Sequence, residues 1–396
     1  MKKLEQRVPN LRFKGFANDW EQHKLRDVAD LNGRIGFRGY TRKDIVNKDK
    51  GILAFSPTNI VSNRLIKTSK DTYITVKKYD ESPEIKLKNG YVLFVKTGST
   101  LGKSALIKEL SQLATVNPQI VVIKPKRINA SFMSIILLND KVQRQVFSRK
   151  IGGAVPTLTE NEINNFNFNV PKTTEQQSIS EIIECLNNFL SLQQRKLDLL
   201  KQLKKGMLQK MFAEKNSNHP ILRFKGFHDD WEQRKLGDLF VYNRPDKYMV
   251  QDTNYINSGT PVLTANKSFV LGYTNENHTY NKLPAIIFDD FTLENKFVNF
   301  PFMVKSSAIK ILNSRNDQPM MFMYQLLQHS RFVHEGHSRH YISIVQRKDV
   351  MVPDNVEEQK KIATLFSRIQ NIIVLQHQKL AKYQSVKKSL LQQMFI

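Results

Sequence analysis

A chain of 396 residues with 40% apolar content is long enough for two or three domains and has ordinary material for their cores. Against 36 Asp and Glu it carries 61 Lys and Arg, a net charge of +25, which suits a polyanionic partner, nucleic acid before an acidic membrane surface. The single cysteine, Cys185, excludes a disulfide framework and a cysteine-rich metal site and points to the cytoplasm, and no run of 18 apolar residues is present to span a membrane.

The first residues, MKKLEQRVPNL, are charged and lack the apolar core of a signal peptide. The phrase PNLRFKGFANDWEQHKL (9–25) follows. Beyond it lies a mixed region in which YVLFVKTG, SALI and QIVVIKP read as short strands bounded by turn residues. SFMSIILLNDKVQRQVF reads as a helix, and GGAVPTLTENEINNFNFNVP as a small polar segment leading into a strand.

Val170-Pro171 closes that region, and Thr174-Glu175 puts acid into the first turn of a long helix. Its apolar residues recur at three- and four-residue steps for about five heptads, the signature of a coiled coil. A helix of about 38 residues spans roughly 55–60 Å. The stretch Asn216-Ser217-Asn218-His219-Pro220 reads as a linker.

The order then repeats. PILRFKGFHDDWEQRKL (220–236) restates the opening phrase at an offset of 211 residues, Leu11 to Leu222, with Trp20 and Trp231 aligned. These are the two tryptophans of the chain. In the second mixed region AIIFDD and SAIKIL read as strands, PMMFMYQLLQHSRFV as a helix, and SRHYISIVQRKDVMVP as the closing segment and strand. Val352-Pro353 and Glu357-Glu358 open a second long helix that matches the first at an offset of 183, Ile179 to Ile362.

An internal repeat outranks other signals in a sequence reading. The expected architecture is therefore α+β with a pseudo-two-fold internal repeat: two mixed α/β domains separated by two long helices that form an antiparallel coiled coil. The expected boundaries are 1–170 for the first mixed domain, 171–215 for the first long helix, 216–353 for the linker and second mixed domain, and 354–396 for the second long helix. The expected interface is Ile179, Ile182, Leu186, Phe189, Gln193, Leu197 and Leu200 on the first helix. On the second it is Ile362, Leu365, Ile369, Ile372, Gln376, Leu380 and Tyr383. Both stripes break at a glutamine, Gln193 and Gln376, which suits a register-fixing pair.

Four motifs fall short of chemistry. KTGSTLGKS (96–104) resembles a phosphate loop, but Gly98 and Gly102 stand too close and SALI after them is strand-like, so no helix N-terminus completes an anion site. NPQI (117–120) approaches the NPPY-type motif of amino-methyltransferases without the aromatic residue that would stack on a flipped base. Pro245-Asp246 with Glu294-Asn295-Lys296 imitates a nuclease triad at a wide spacing. His329, His334, His337 and His340 are spaced through a glycine and offer no fixed metal geometry. No catalytic residues and no metal ligands are therefore assigned, and the chain reads as a binder.

Taken together, the doubled LRFKGF…W-E-Q…KL, FVKTGSTLGKSAL with ATVNPQIVVIKP, the closing VP…EQ signatures and the helix ends KGMLQKMF and KSLLQQMF span essentially the whole chain. In that doubled order the sequence resembles the specificity subunits of type I restriction–modification complexes, of the staphylococcal kind. The resemblance implies two target recognition domains, each reading one half of a bipartite double-stranded DNA target. It implies two modification (methyltransferase) subunits and motor–nuclease restriction subunits as partners, with no membrane. It places S-adenosylmethionine, ATP and magnesium in those partners and none in this chain. It makes the long helices both spacer and docking surface, and explains the repeated phrase as identical surfaces for identical partners.

In the first domain the expected DNA contacts are Arg34, Arg38, Lys96, Thr97, Ser99, Thr100, Lys103, Arg149 and Lys150. In the second they are Asn266, Lys267, Asp289, Asp290, Arg339, His340 and Tyr341, with the two aspartates as acceptors for cytosine amino groups. Two competing readings predict different behaviour. A DNA-binding coiled-coil scaffold without sequence preference would show a steep, uniform salt dependence, and a nucleotide hydrolase or nuclease would lose activity on Lys103→Ala or Glu294→Ala.

Overall fold

The structure, a computed structural model, describes residues 8–35, 39–214, 217–266, 268–332 and 339–396. It falls into two compact units, one comprising Met1–Leu192 with Leu380–Ile396 and the other Gln193–Lys379. Both long helices are 38 residues, Thr173–Lys210 and Val356–Gln393, and each contributes one part to each unit.

The first unit is built on a six-stranded sheet ordered Ala29–Asn32, Ile120–Pro125, Val92–Val95, Ser104–Leu106, Arg64–Leu65 and Ile60–Val61. Its central strands are antiparallel, with Ile120 opposite Val95 and Ile123 opposite Val92. They bury both faces. Val92, Phe94, Val121 and Ile123 join one core with Trp20, Phe132 and Phe395, while Leu93, Val95, Ile120 and Val122 join a second with Leu53, Phe55 and Val116. This is why YVLFV and QIVVI are continuous apolar runs rather than alternating ones. A four-stranded sheet (Ala114–Val116, Ile52–Phe55, Thr72–Ile74, Ile45–Val46) supplies the second core, and a two-stranded sheet pairs Glu21–Lys24 with Asn167–Val170.

The second unit repeats the plan. A four-stranded sheet runs Phe240–Asn243, Ile309–Ser314, Ala285–Asp289, Asn295–Val298. Ile286, Phe288 and Leu312 face a core with Trp231, Phe322 and Phe212, while Ala285, Ile287 and Ile311 face another. A three-stranded sheet (Val270–Thr274, Thr260–Leu263, Met303–Val304) stands in for the four-stranded one, and Glu232–Lys235 pairs with Asp349–Val352.

The repeated phrase has one structural job, done twice. In the first unit the Arg12 guanidinium makes a bidentate ion pair with Glu175 (2.7 and 2.8 Å), whose side chain is 1% exposed at the start of the first long helix. The Leu11 N–H donates to the Gln393 carbonyl near the end of the second long helix. In the second unit Arg223 grips Glu358 (2.8 Å twice), and the Leu222 N–H donates to the Lys210 carbonyl. Each phrase thus ties the beginning of one long helix to the end of the other. Each tryptophan packs edge-on against the phenylalanine at a helix end, Trp20 on Phe395 and Trp231 on Phe212.

The helix segments within each unit pack together. In the second unit Gln376 Nε2 donates to the Gln193 side-chain oxygen (2.8 Å) and carbonyl (3.1 Å), while Lys204 Nζ donates to Gln370 Oε1. Rising numbers on one helix meet falling numbers on the other, so the pair is antiparallel, and the two glutamines meet as the sequence suggests. In the first unit Phe189 meets Tyr383 edge-on at 4.7 Å. The buried seam runs Ile362, Phe366, Ile369, Ile373, Gln376, Leu380 in alternating steps of four and three. Ile179, Ile183 and Leu197 are the buried counterparts on the first helix. Leu186, Leu200 and Leu365 are half-buried. Two expected interface residues are corrected: Ile182 and Ile372 are exposed, and Ile183 and Ile373 take the inner positions. One residue is 100° of helix, so a stripe begun with a step of three instead of four lands on the outer face.

The seam also holds a repeated cation. Lys204 and Lys387 occupy equivalent seam positions, and burial holds both amines below the usual lysine range, with Arg64 adding to the effect at Lys387. The expected single helix of the first mixed region is two, Ala130–Ile136 and Asp140–Arg149, because Asn139 caps the second through the Lys141 N–H.

Candidate nucleic-acid interface

The two units present topologically equivalent edges with different side chains. In the first, the loop 96–103 joins the strands Val92–Val95 and Ser104–Leu106. Gly98 and Gly102 both adopt positive φ (105° and 87°), which lets the loop fold back on the strands: the Leu101 N–H donates to the Gly98 carbonyl and the Gly102 N–H to the Val95 carbonyl. No helix follows the loop, so its likeness to a phosphate loop ends at the glycines. A second segment, 149–158, lies alongside. Pro156 accepts from the Gly98 N–H, Lys96 accepts from the Leu158 N–H, and Thr97 bridges Thr157.

In the second unit the loop 290–294 joins Ala285–Asp289 to Asn295–Val298. The Asp290 carbonyl accepts from the His340 N–H, so Asp290 stands where Lys96 stands and His340 where Leu158 stands. Asp289 Oδ1 accepts from the N–H groups of Phe291 and Thr292 and shapes the turn.

Several expected contacts remain available at these edges. Ser99, Lys103 and Lys150 are exposed, and Thr97 and Thr100 half-exposed, in the first unit; Asn266 and Arg339 are exposed in the second. Asn266 Oδ1 accepts from Thr292 Oγ1, and Arg339 stacks over Phe291.

Other expected contacts are engaged within the protein, and the assignment is corrected for those that are buried. Arg34 is half-buried, with its guanidinium on the Val116 carbonyl and over Tyr40, and burial lowers its pKa. Arg149 donates to the carbonyls of Glu162 and Asn165 and to Gln145 Oε1, closing the end of the short helix Glu160–Asn164. Lys96 pairs with Glu160 at 2.9 Å.

Asp290 is 2% exposed, with one oxygen 3.2 Å from Lys310 Nζ and the other accepting from the Tyr341 N–H, so neither is offered to a base. Asp289 is buried beside it. His340 and Tyr341 are core residues: the imidazole Nδ1 lies 3.2 Å from the Asp290 carbonyl, and the phenol packs between Tyr242 and Phe288, where burial pushes its pKa up. Polar residue type in a strand-rich region did not separate groups that hold the loops from groups on their tips. Arg38 and Lys267 lie outside the described residues, as do His334 and His337. Half-buried His329 stacks on Phe212, and among the described residues no cluster of His, Cys, Asp or Glu is arranged to hold a metal. No helix among them is long and apolar enough to cross a membrane.

Two sheet-based units with divergent edge loops, each including part of both long helices, in a strongly basic chain define a doubled binding protein. The sequence matches the family described as type I restriction modification DNA specificity domain over residues 17–202 and again over 228–383. The chain belongs to this family of DNA-specificity subunits.

The specificity subunit of the type I restriction enzyme EcoR124I/EcoR124II of Escherichia coli is 42% identical over 144 residues, 34% of this chain and 36% of that protein. The MjaVIII specificity subunit of Methanocaldococcus jannaschii is 21% identical over 205 residues, 50% of this chain and 47% of that one. Each match spans less than half of the relative's length. The fold is shared with the type I S subunit of M. genitalium, at a TM-score of 0.67 and 12% identity over 98% of this chain and 99% of that one. It is shared too with a chain solved in work on complex assembly and conformational transition of the type I R-M system, at 0.52 and 14% over 94% and 96%.

Proposed function

We propose that this subunit reads a bipartite DNA target, one half-site per recognition domain, and directs adenine methylation and restriction carried out by partner subunits. The observation that carries the reading is the pairing of one conserved frame with two different edges. The Arg–Glu clamp, the tryptophan and the Met-Phe pair at each helix end recur, whereas the loops 96–103 and 290–294 share neither length nor chemistry. A scaffold binding DNA through charge alone has no need of divergent loops on a repeated frame. Residues 1–170 and 216–353 are taken as the two recognition domains, and 171–215 and 354–396 as the conserved helices. The DNA contacts retained are Thr97, Ser99, Thr100, Lys103 and Lys150 in the first domain and Asn266 and Arg339 in the second.

Two modification subunits are taken to dock on the long helices. Leu192 and Leu375 are exposed at equivalent positions, as are Leu203 and Val386, so each helix offers outward apolar residues at matching places to an identical partner. S-adenosylmethionine, ATP and magnesium belong to the partner subunits, and the complex works in the cytoplasm. The test is exchange of residues 240–350 for the corresponding region of a relative with a different target. One half of the methylated motif should change and the other stay; a change in both halves overturns the two-reader model.

A further inference from the structure

The reading edges carry exposed apolar side chains that polar recognition does not use. In the first unit Ile151 and Val155 are 54% and 58% exposed, at the tip of the segment pinned beside the loop 96–103. In the second, Phe291 and Ile342 are 37% and 63% exposed. Phe291 sits on the equivalent loop and Ile342 just beyond the equivalent pinning point at His340.

In the first unit the supporting turn is closed by backbone hydrogen bonds. Ile151 and Thr157 exchange backbone hydrogen bonds (2.9 and 2.8 Å), and between them Gly152 has φ +85°, where an added Cβ would lie 2.8 Å from the Val155 carbonyl oxygen. Only glycine closes this turn without strain. A turn that needed only to be soluble would carry polar residues at its tip. Isolated exposed aliphatics are ordinary on protein surfaces. Here they flank the equivalent loops of both units, at positions that are not themselves equivalent, and the neighbouring cations are Lys103 and Lys150 in one unit and Arg339 in the other.

We infer that these apolar tips contact thymine C5-methyl groups in the major groove, Ile151 and Val155 in one half-site and Phe291 and Ile342 in the other. The neighbouring cations hold the phosphates while the tips read the one apolar group that a base pair displays there. The inference rests on the proposed bipartite reading and adds a chemical class of contact to it.

The test uses the full chain in complex with its modification subunit and a duplex carrying the motif it methylates. Each thymine in turn is replaced by deoxyuridine, which lacks only the methyl group. Wild-type complex should lose about four-fold in affinity at one or more thymines in each half-site, the worth of one buried methyl. The double variant Ile151→Ser/Val155→Ser should bind the thymine and deoxyuridine duplexes alike in the first half-site and keep the wild-type difference in the second. Equal sensitivity of variant and wild type in the first half-site overturns the inference, as does a half-site with no A·T pair. Loss of the modification subunit from the variant would make the tips a protein contact and also overturn it. Failure of the parent reading would look different, since no split motif would exist.

Discussion

Arg12 and Glu175 are held in a bidentate ion pair whose counterpart, Arg223 with Glu358, repeats it in the other unit. Both glutamates are 1% exposed in their side chains and sit in the first turn of a long helix. Removing one arginine leaves a carboxylate buried without its partner, and breaking a buried pair from one side costs about 3 kcal/mol or more. Arg12→Ala and Arg223→Ala should each lower stability by that amount in urea unfolding of the subunit. A loss below about 1 kcal/mol would show that the pair is no stronger than a surface one.

The two units differ at one capping position, and the difference is correctable. Asn129 caps its helix through the Phe132 N–H, and its own N–H donates to Gln176 Oε1. Pro319 stands in that place in the second unit with no N–H to give, and Gln359 Oε1 is buried without a protein partner. Pro319→Asn supplies both the cap and the donor, and should stabilise the subunit by about 1 kcal/mol. Thermal unfolding checks it; a lowered Tm would mean that the lost rigidity of proline outweighs the two hydrogen bonds.

His329 is expected to make the second unit sensitive to acid. Burial holds its imidazole below the ordinary value of 6.5, with Arg331 acting in the same direction, while Glu214 and backbone hydrogen bonds act the other way. A depressed folded-state pKa means that the unfolded chain binds the extra proton first. The stability this ring contributes is therefore complete above about pH 6.5 and declines as pH falls from there toward the folded-state pKa. His329→Phe, which keeps the stacking on Phe212, should flatten the slope of stability against pH below about 6.5. An unchanged slope would assign the acid sensitivity to another group.

The Gln193–Gln376 contact marks the place to lengthen the long helices without disturbing either clamp. One heptad inserted beside each glutamine adds about 10 Å of helix, about three base pairs at 3.4 Å per step. The unspecified gap in the methylated motif should grow by about that much, with both half-sites unchanged. An unchanged gap would show that the helices do not set the spacing.

The frame was legible because it is written twice. Repetition exposed the phrase, the tryptophans, both long helices and the paired glutamines, and the continuous apolar runs exposed the central strands. The heptad phase was missed at Ile182 and Ile372 because each has an isoleucine beside it, and composition cannot choose between adjacent positions of equal hydropathy. Among the residues expected to contact DNA, the sequence did not separate exposed groups from buried ones. Arg34, Arg149, Asp290 and His340 carry the polar chemistry that suits DNA, yet each is occupied by backbone groups or a buried partner brought in from distant sequence. Ile151, Val155, Phe291 and Ile342 were passed over because apolar residues in strand-rich sequence are ordinarily core. Only their exposure distinguishes them.

The most direct measurement is genome-wide sequencing of N6-methyladenine in a host lacking other methylases, with this subunit co-expressed with a modification subunit. A single split motif, two short specified blocks flanking a fixed number of unspecified bases, is the predicted result. One short continuous motif would show that only one domain reads DNA. Unmethylated DNA alongside a well-folded complex would contradict sequence reading altogether.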